Sequence, residues 1–129
     1  MALTVRDLPA EALKKYRPLE AVRRRRQKNS VEVAKRRRRA RYVARKAAQV
    51  LRDEFSARKI YLFGSLARSG DFSLWSDIDL AVYGIPPGRF FEAVGVVTGL
   101  SHEFKIDLVD LETCPPGMYL SIQETGREL

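Results

Sequence analysis

The alternation of apolar and polar positions divides the chain into a helical first part and a mixed second part. Between Ser30 and Phe55 the apolar residues recur at helical spacing, which predicts one long helix with a buried stripe. The residues of that stripe are Val43, Ala47, Val50, Leu51 and Phe55. The preceding segment, KRRRRAR at 35–41, shows no apolar face. It is therefore predicted to project from the globule or to lie on a partner.

Shorter helices are predicted ahead of this long one. Asp7 suits an N-cap and Pro9 a first turn, so a helix is expected to run to about Arg17. Pro18 then breaks or restarts the helix. Residues 18–28 are expected to continue as helix until Asn29-Ser30 interrupts it, with Ser30 capping the helix that follows.

The second part alternates between short apolar runs and amphipathic segments. The runs predict strands at 59–63, 77–83 and 104–111, and the spacing of Phe90, Phe91, Val94 and Val97 predicts a helix over 87–100. Pro115-Pro116 is predicted to open a last helix, with Thr113 as candidate cap, and Gly126 to close it. Together these elements indicate an α/β fold, a small mixed sheet with helices packed against it.

Charge separates the two parts further. Residues 1–58 carry 19 Lys and Arg against 6 Asp and Glu, whereas residues 59–129 carry 5 against 10. We therefore expect a basic helical N-terminal extension at 1–57, a long basic arm, and a separate domain at 58–129. No apolar run is long enough to span a membrane, and no signal peptide is evident at the start. The single Cys114 is typical of a reducing cytoplasm, where we expect the protein to reside.

The chemistry centres on the stretch from Lys59 to Val82. Asp77 and Asp79 are two residues apart on a predicted strand, so their carboxylates point to the same side while Ile78, Leu80 and Val82 face the core. Gly64 allows a tight turn, and Ser65 can open a short helix whose free N–H groups suit an anion. Paired carboxylates suit Mg²⁺ that is shared with substrate phosphates. The layout predicts phosphoryl or nucleotidyl transfer.

The string G-S-L-A-R…S-D-I-D-L resembles the minimal nucleotidyltransferases (MNT proteins) of the DNA polymerase β-like superfamily. Many of these proteins are antitoxins of HEPN/MNT toxin–antitoxin pairs. The resemblance covers roughly residues 58–126. The spacer between Ser65 and Asp77 is one residue longer than is common in relatives, and Ser69-Gly70 replaces the usual Gly after Arg. The loop is therefore expected to be remodelled, without loss of a ligand.

The resemblance implies a polymerase β-like fold and a set of site residues. Asp77, Asp79 and Asp107 would be the catalytic and metal-binding carboxylates, with Asp107 also the general base; Gly64, Ser65 and Arg68 would bind the nucleotide. Two Mg²⁺ ions and ATP are implied, with AMP passing to a hydroxyl, expected to be a tyrosine, of a HEPN toxin. A hetero-oligomer with that toxin follows.

Several residues keep two interpretations. Arg68 could neutralise a triphosphate or be a solvated surface residue, and Phe72 and Trp75 could stack on a base or cover the core. Asp110, on the face opposite Asp107, suits a turn at the strand end. His102 and Cys114 are interpreted as a surface residue and an inert thiol.

The arginine runs and the activity also keep alternatives. The runs could bind RNA, dock on an acidic protein, pair with the acidic half of the chain in an oligomer, or remain solvated; few aromatic residues interleave them, which disfavours single-strand binding. One rival function is a non-catalytic RNA- or protein-binding subunit with a vestigial transferase site. The other is a small-molecule nucleotidyltransferase of the aminoglycoside type, although such enzymes usually carry an acceptor domain.

Overall fold

The structure, a computed structural model, describes residues 18–129. The helix predicted from Asp7 to Arg17 lies outside the described residues. The chain divides into two units, one up to Glu32 and the other Val33–Leu129. In the first unit, every side chain from Leu19 to Glu32 is exposed. The second unit holds the sheet and the core.

Three α-helices are found in the described part of the chain: α1 at Pro18–Phe55, α2 at Phe90–Thr98 and α3 at Pro116–Thr125. Helix α1 runs without a break through Asn29 and Ser30, so the predicted interruption is wrong. Asn and Ser cost only a few tenths of a kcal/mol more than a good helix former, too little to stop a helix. Within residues 18–129, no helix combines the length and apolarity needed to cross a membrane.

Four strands form a mixed sheet in the order β3-β2-β1-β4. They are β1 (Lys59–Phe63), β2 (Ile78–Tyr83), β3 (Ile106–Asp110) and β4 (Arg127–Glu128). Strand β1 is antiparallel to both β2 and β4, whereas β2 and β3 are parallel. The small mixed sheet predicted from the sequence is confirmed. The short β4 was not predicted, because two polar residues carry no strand pattern.

The two faces of the sheet bury different apolar residues. On one face, Ile60, Leu62, Ile78, Leu80 and Val82 pack with the buried stripe of α1 and with Ala93 and Val97 of α2. On the other face, Tyr61, Ala81 and Leu111 pack with Ile122 of α3. We call these the α1 face and the α3 face. The alternation of side chains along each strand assigns odd-numbered residues of β2 and β3 to the α3 face.

Two predicted caps differ from the structure. A 3₁₀ turn at Gly64–Ala67 begins at Gly64, with Phe63 in the capping position and no side-chain cap bond, so Ser65 opens no helix. Helix α3 is preceded by Pro115 and has no side-chain cap either, so Thr113 is not its cap. The fixed ring of Pro116 at the first helical position already favours the helical backbone there. The predicted β3 was also too long at both ends.

The expectation that segment 35–41 has no buried face is wrong. Ala40 is fully buried, in line with Ala44, Ala47 and Ala48, so the core-facing stripe of α1 extends further than the large apolar residues suggested. Arg39 forms an ion pair with Glu103, Nε to Oε1 at 2.7 Å. Because Ala is small, the pattern of larger apolar residues had concealed the packing of this turn.

Candidate active site

Three carboxylates lie near one another at one end of the sheet. In the parallel pairing of β2 and β3, Asp79 lies directly beside Asp107, and in the antiparallel pairing Phe63 lies beside Asp79. Asp77 precedes Asp79 by two residues, just before β2 begins. Asp79 and Asp107 share the α3 face, so the sheet brings together the carboxylates that the sequence indicated.

The electrostatics of this group are unfavourable without a counter-charge. Burial raises the pKa of Asp79, and the neighbouring carboxylates of Asp107 and Asp77 raise it further, while Lys105 and Arg68 act in the opposite direction. The ammonium of Lys105 lies 3.6 Å from Asp107 Oδ1. Sequence reasoning missed Lys105, although its spacing of two from Asp107 places both side chains on the same side of the chain.

Gly64 lies against Asp79 and has a backbone that favours glycine. Its φ is +72°, and a Cβ at this position would overlap Asp79 Oδ2. Any other residue would therefore combine left-handed backbone strain with displacement of a candidate ligand. Gly64 therefore closely approaches the carboxylate of Asp79.

Arg68 is held by its own loop. Its Nε donates to the carbonyl of Gly64 at 3.3 Å and lies 3.4 Å from Asp71 Oδ2, and its side chain is 57% exposed. Gly64 lies against Asp79, and Arg68 is close enough to act on the pKa of Asp79, so Arg68 remains within reach of an anion there. The assignment of Gly64, Ser65 and Arg68 to nucleotide binding stays a prediction.

The loop that leads to Asp77 is ordered by its own polar groups. The backbone N–H of Ser73 donates to Ser76 Oγ at 2.9 Å, and the two hydroxyls lie 3.1 Å apart. Phe72 is buried in the core, whereas Trp75 is 88% exposed. Phe72 therefore covers the core, and Trp75 is the aromatic ring left free to contact a ligand.

Arginines from α1 also contact this loop, which sequence reasoning did not foresee. Arg36 Nη2 donates to the carbonyl of Ser76 at 3.0 Å, and Arg37 Nη2 donates to the carbonyl of Arg68 at 3.2 Å. Both bonds join residues more than 30 positions apart, so no local pattern could reveal them. In a run of similar arginines, the sequence does not distinguish those that dock from those that are solvated.

Two residues were predicted to take no part in the chemistry, His102 as a surface residue and Cys114 as an inert thiol. His102 is exposed in the turn before β3, and Cys114 is partly buried with its thiol near the carbonyl of Leu111. Asp110 Oδ1 accepts a hydrogen bond from the N–H of Glu112 at 2.9 Å, which is the strand-end turn predicted for it.

The carboxylates fit a hard divalent cation that is shared with a ligand. Among residues 18–129, no three His, Cys, Asp or Glu side chains are grouped closely enough to hold a metal ion by themselves. The donor set is oxygen only, and the carboxylates of Asp107 and Asp77 raise the pKa of Asp79 further than burial alone, although Lys105 and Arg68 oppose them. Mg²⁺ is commonly held by one or two carboxylates, with substrate phosphates and water completing the shell. The site therefore suits Mg²⁺ that arrives with a nucleotide.

Replacing Asp79 by Asn should stabilise the protein in the absence of metal, by up to about 1 kcal/mol, the scale of directly opposed like charges on neighbouring strands. Because the folded pKa of Asp79 is raised, the folded state binds more protons than the unfolded state between the two pKa values. Wild-type stability therefore falls as pH rises through that window, and the advantage of Asp79→Asn grows in the same direction.

Urea unfolding followed by circular dichroism in chelator, from pH 4 to pH 8, measures this difference. Glu124→Gln, which removes an exposed carboxylate on α3, is the control and should show no such pH dependence. An advantage of Asp79→Asn that shrinks as pH rises would contradict the electrostatic origin.

A mixed sheet with paired acids on adjacent strands beside a glycine turn is consistent with a nucleotidyltransferase. Residues 45–129 match the family described as polymerase beta, nucleotidyltransferase, and the chain belongs to this family. The match begins within α1, so the second part of that helix belongs to the family domain. Among curated proteins, no significant sequence match is found.

Several solved structures that resemble this chain come from toxin–antitoxin complexes. A chain of a toxin–antitoxin complex with AMP-PNP is 26% identical, with a TM-score of 0.55, over 66% of this chain and 70% of that chain. A chain of the tri-AMPylated Shewanella oneidensis HEPN toxin in complex with MNT antitoxin is 25% identical, with a TM-score of 0.52, over 69% and 70%. A chain of the MntA–HepT complex shares the fold at 24% identity and a TM-score of 0.51, over 68% and 69%. The predicted resemblance to MNT proteins is confirmed.

Proposed function

We propose that this protein transfers AMP from ATP to a hydroxyl, a tyrosine, of a HEPN toxin and thereby acts as its antitoxin. The observation that carries the proposal is the register of β2 and β3, which sets Asp79 beside Asp107 on one face next to Gly64. The structural neighbours support it, because they include a complex with AMP-PNP and a complex with a tri-AMPylated HEPN toxin.

In this proposal each carboxylate has a role. Asp77 and Asp79 would hold Mg²⁺, which when bound neutralises charge on the triphosphate. Asp107 would accept the proton of the attacking hydroxyl. The hydroxyl oxygen bonds to the α-phosphorus, the bond from that phosphorus to the bridging oxygen breaks, and pyrophosphate leaves. Arg68 would face the departing phosphates from the rim of the site.

In this proposal the acceptor belongs to a second protein, the HEPN toxin, with which the chain forms a hetero-oligomer in the cytoplasm. The single cysteine of the chain suits a reducing compartment. The compact unit Val33–Leu129 is largely taken up by the sheet and its three covering helices. In this proposal a second protein carries the acceptor hydroxyl and provides the surface that positions it against the carboxylates.

The proposal predicts label transfer to a protein. Purified wild-type protein, incubated with α-phosphate-labelled ATP, Mg²⁺ and a purified HEPN toxin, should label that toxin on tyrosine, detected by gel and peptide mass spectrometry. Omission of Mg²⁺ is the control. Label on a small-molecule aminoglycoside, or none on any acceptor despite tight toxin binding, would instead favour one of the two rival functions.

We further propose that the basic segment within residues 18–32, part of the predicted arm at 1–57, engages the acidic surface of the partner. Its described side chains from Leu19 onward are exposed and include Arg23–Arg26. Exposed charges are screened over about 10 Å at 0.1 M salt, so binding through this segment should weaken steeply as salt rises. RNA is the competing ligand for the same charges.

Changing Arg23–Arg26 to Gln should weaken the partner complex several-fold at 0.05 M salt and flatten its salt dependence, measured by fluorescence anisotropy. ATP binding should be unchanged, because none of the site residues lies in this segment. A variant that keeps both the affinity and the salt dependence of wild type would exclude the segment as a docking surface. Loss of RNA binding alone would assign it to nucleic acid.

A further inference from the structure

Arg36, on α1, connects the two chain segments that lead into the carboxylate-bearing strands. Its Nη2 donates to the carbonyl of Ser76 at 3.0 Å, one residue before Asp77. Its guanidinium carbon lies 4.4 Å from the ring centre of Phe104, three residues before Asp107. We infer that Arg36 is a positioning residue for nucleotidyl transfer, which holds Asp77 and Asp107 in register from behind the sheet; this inference rests on the proposed function.

The side of the sheet on which Arg36 lies excludes a direct role. Phe104 belongs to the core cluster on the α1 face, and Ile78 and Ile106 are buried on that same face. Asp79 and Asp107 occupy the α3 face. Arg36 therefore approaches the loop and the strand from the side opposite the carboxylates, and any effect on the reaction must pass through the backbone.

A backbone hydrogen bond continues the connection that Arg36 makes. The N–H of Ile78 donates to the carbonyl of Lys105 at 3.0 Å, immediately beside the two points that Arg36 contacts. Movement of Ser76 or Phe104 would therefore displace the start of β2 against the start of β3. Asp77 is the carboxylate most affected, because it precedes β2 and has no strand pairing of its own.

The energetics indicate that Arg36 serves more than packing. Its Nε is buried and has no hydrogen-bond partner in the described part of the chain. Leaving a buried donor unpaired is unfavourable, and an apolar side chain of similar length would avoid that cost. What an apolar residue cannot supply is the donor to Ser76 together with a flat cation over Phe104.

The neighbouring contact of Arg37 shows why a matched control is needed. Arg37 also reaches the loop, at the carbonyl of Arg68, but that bond is solvent-exposed and lies eight residues further from Asp77. Arg38 is exposed on α1 and makes neither of the two contacts that Arg36 makes, with Ser76 and with Phe104. Arg38→Gln therefore removes the same charge from the same helix turn without touching the proposed connection.

The test compares Arg36→Met, Arg36→Lys and Arg38→Gln in the full chain. Methionine keeps apolar contact with Phe104 but removes the donor, and lysine keeps a donor and charge without the planar group. Three quantities are measured: kcat and KM for ATP in AMP transfer, Mn²⁺ affinity by electron paramagnetic resonance, and amide hydrogen exchange of residues 73–78. Circular dichroism melting confirms the fold of each variant.

We expect Arg36→Met to lower kcat about 10- to 100-fold with KM for ATP changed less than about threefold, since small misplacements of reacting groups have effects of this size. Exchange at Ser76 and Ile78 should accelerate at least about tenfold and Mn²⁺ affinity should fall. Arg36→Lys should recover part of each effect, and Arg38→Gln should match wild type. Should Arg36→Met not fold, the lysine variant carries the comparison.

Wild-type exchange and wild-type kcat in Arg36→Met would overturn the inference, as would equal losses in Arg38→Gln. A lower melting temperature of Arg36→Met with unchanged kcat would also overturn the inference, because Arg36 would then contribute to stability only. If wild-type protein transfers no AMP at all, the proposed function fails, while exchange and Mn²⁺ binding still decide whether Arg36 positions the carboxylates.

Discussion

Replacing both Asp77 and Asp79 by Asn should abolish AMP transfer, with a loss of at least about 1,000-fold, while the fold remains intact. Groups that stabilise charge in the transition state are each worth about 100- to 1,000-fold in rate. Without metal, the double variant should be as stable as wild type or slightly more stable. Burial and the neighbouring acids raise the pKa of Asp79, which means that its charged form is disfavoured in the folded wild-type protein. Label transfer to the toxin and thermal melting measure the two quantities.

A suitable control for this pair is Asp110→Asn. Asp110 is also an acid at the end of β3, but its carboxylate closes a turn with Glu112 and lies on the opposite face from Asp107. The Asp110→Asn protein should have a lower free energy of unfolding, but its transfer rate per folded molecule should equal that of wild type. Near-native transfer by the Asp77→Asn, Asp79→Asn protein would remove the carboxylate pair from the mechanism.

Replacing Gly64 by Ala should weaken ATP binding by at least about tenfold. The added methyl would overlap Asp79 Oδ2, so the carboxylate must turn away from the position at which it shares a cation with the triphosphate. The left-handed backbone adds about 1–2 kcal/mol of strain. Isothermal calorimetry with ATP and Mg²⁺ gives the affinity, and the melting temperature gives the stability cost. The larger Gly64→Val should remove binding.

Gly70 supplies the matched control for the backbone contribution. Its φ of +85° imposes similar strain on an added methyl, yet no atom lies within 4 Å of the place where that methyl would be. Gly70→Ala should therefore lose stability comparably and keep most of its ATP affinity. Equal ATP affinity in Gly64→Ala and wild type would show that Gly64 takes no part in the site.

The sequence predicted the parts of this site that depend on local periodicity. Alternation along β2 indicated that Ile78 and Leu80 face the core and Asp79 the other side; Ile78 and Leu80 are buried, while Asp77 lies just before the strand begins. The pairing of Asp79 with Asp107 joins residues 28 positions apart, and only the family resemblance indicated that they belong together. Identical strand patterns permit several pairings, so local pattern alone could not select this one.

The contacts between α1 and the loop could not be predicted from the sequence for a different reason. An arginine can pack its stem, stack its guanidinium and donate hydrogen bonds, so the same residue type suits both solvent and a half-buried position. The basic character of 35–41 therefore suggested a solvated or partner-facing surface. The structure shows that Arg36, Arg37 and Arg39 all contact the domain.

The parallel register of β2 and β3 has a consequence for how this domain tolerates changes in length. Each acid in the pair lies between apolar neighbours that also pair, Ile78 with Ile106 and Leu80 with Leu108. A slip of one residue would turn Asp107 towards the core and expose its neighbours, so an insertion inside β3 should destroy folding and chemistry together. Insertions in the crossover at 99–103 leave that pairing untouched. A change in length at 99–103 should therefore be tolerated better than one inside β3.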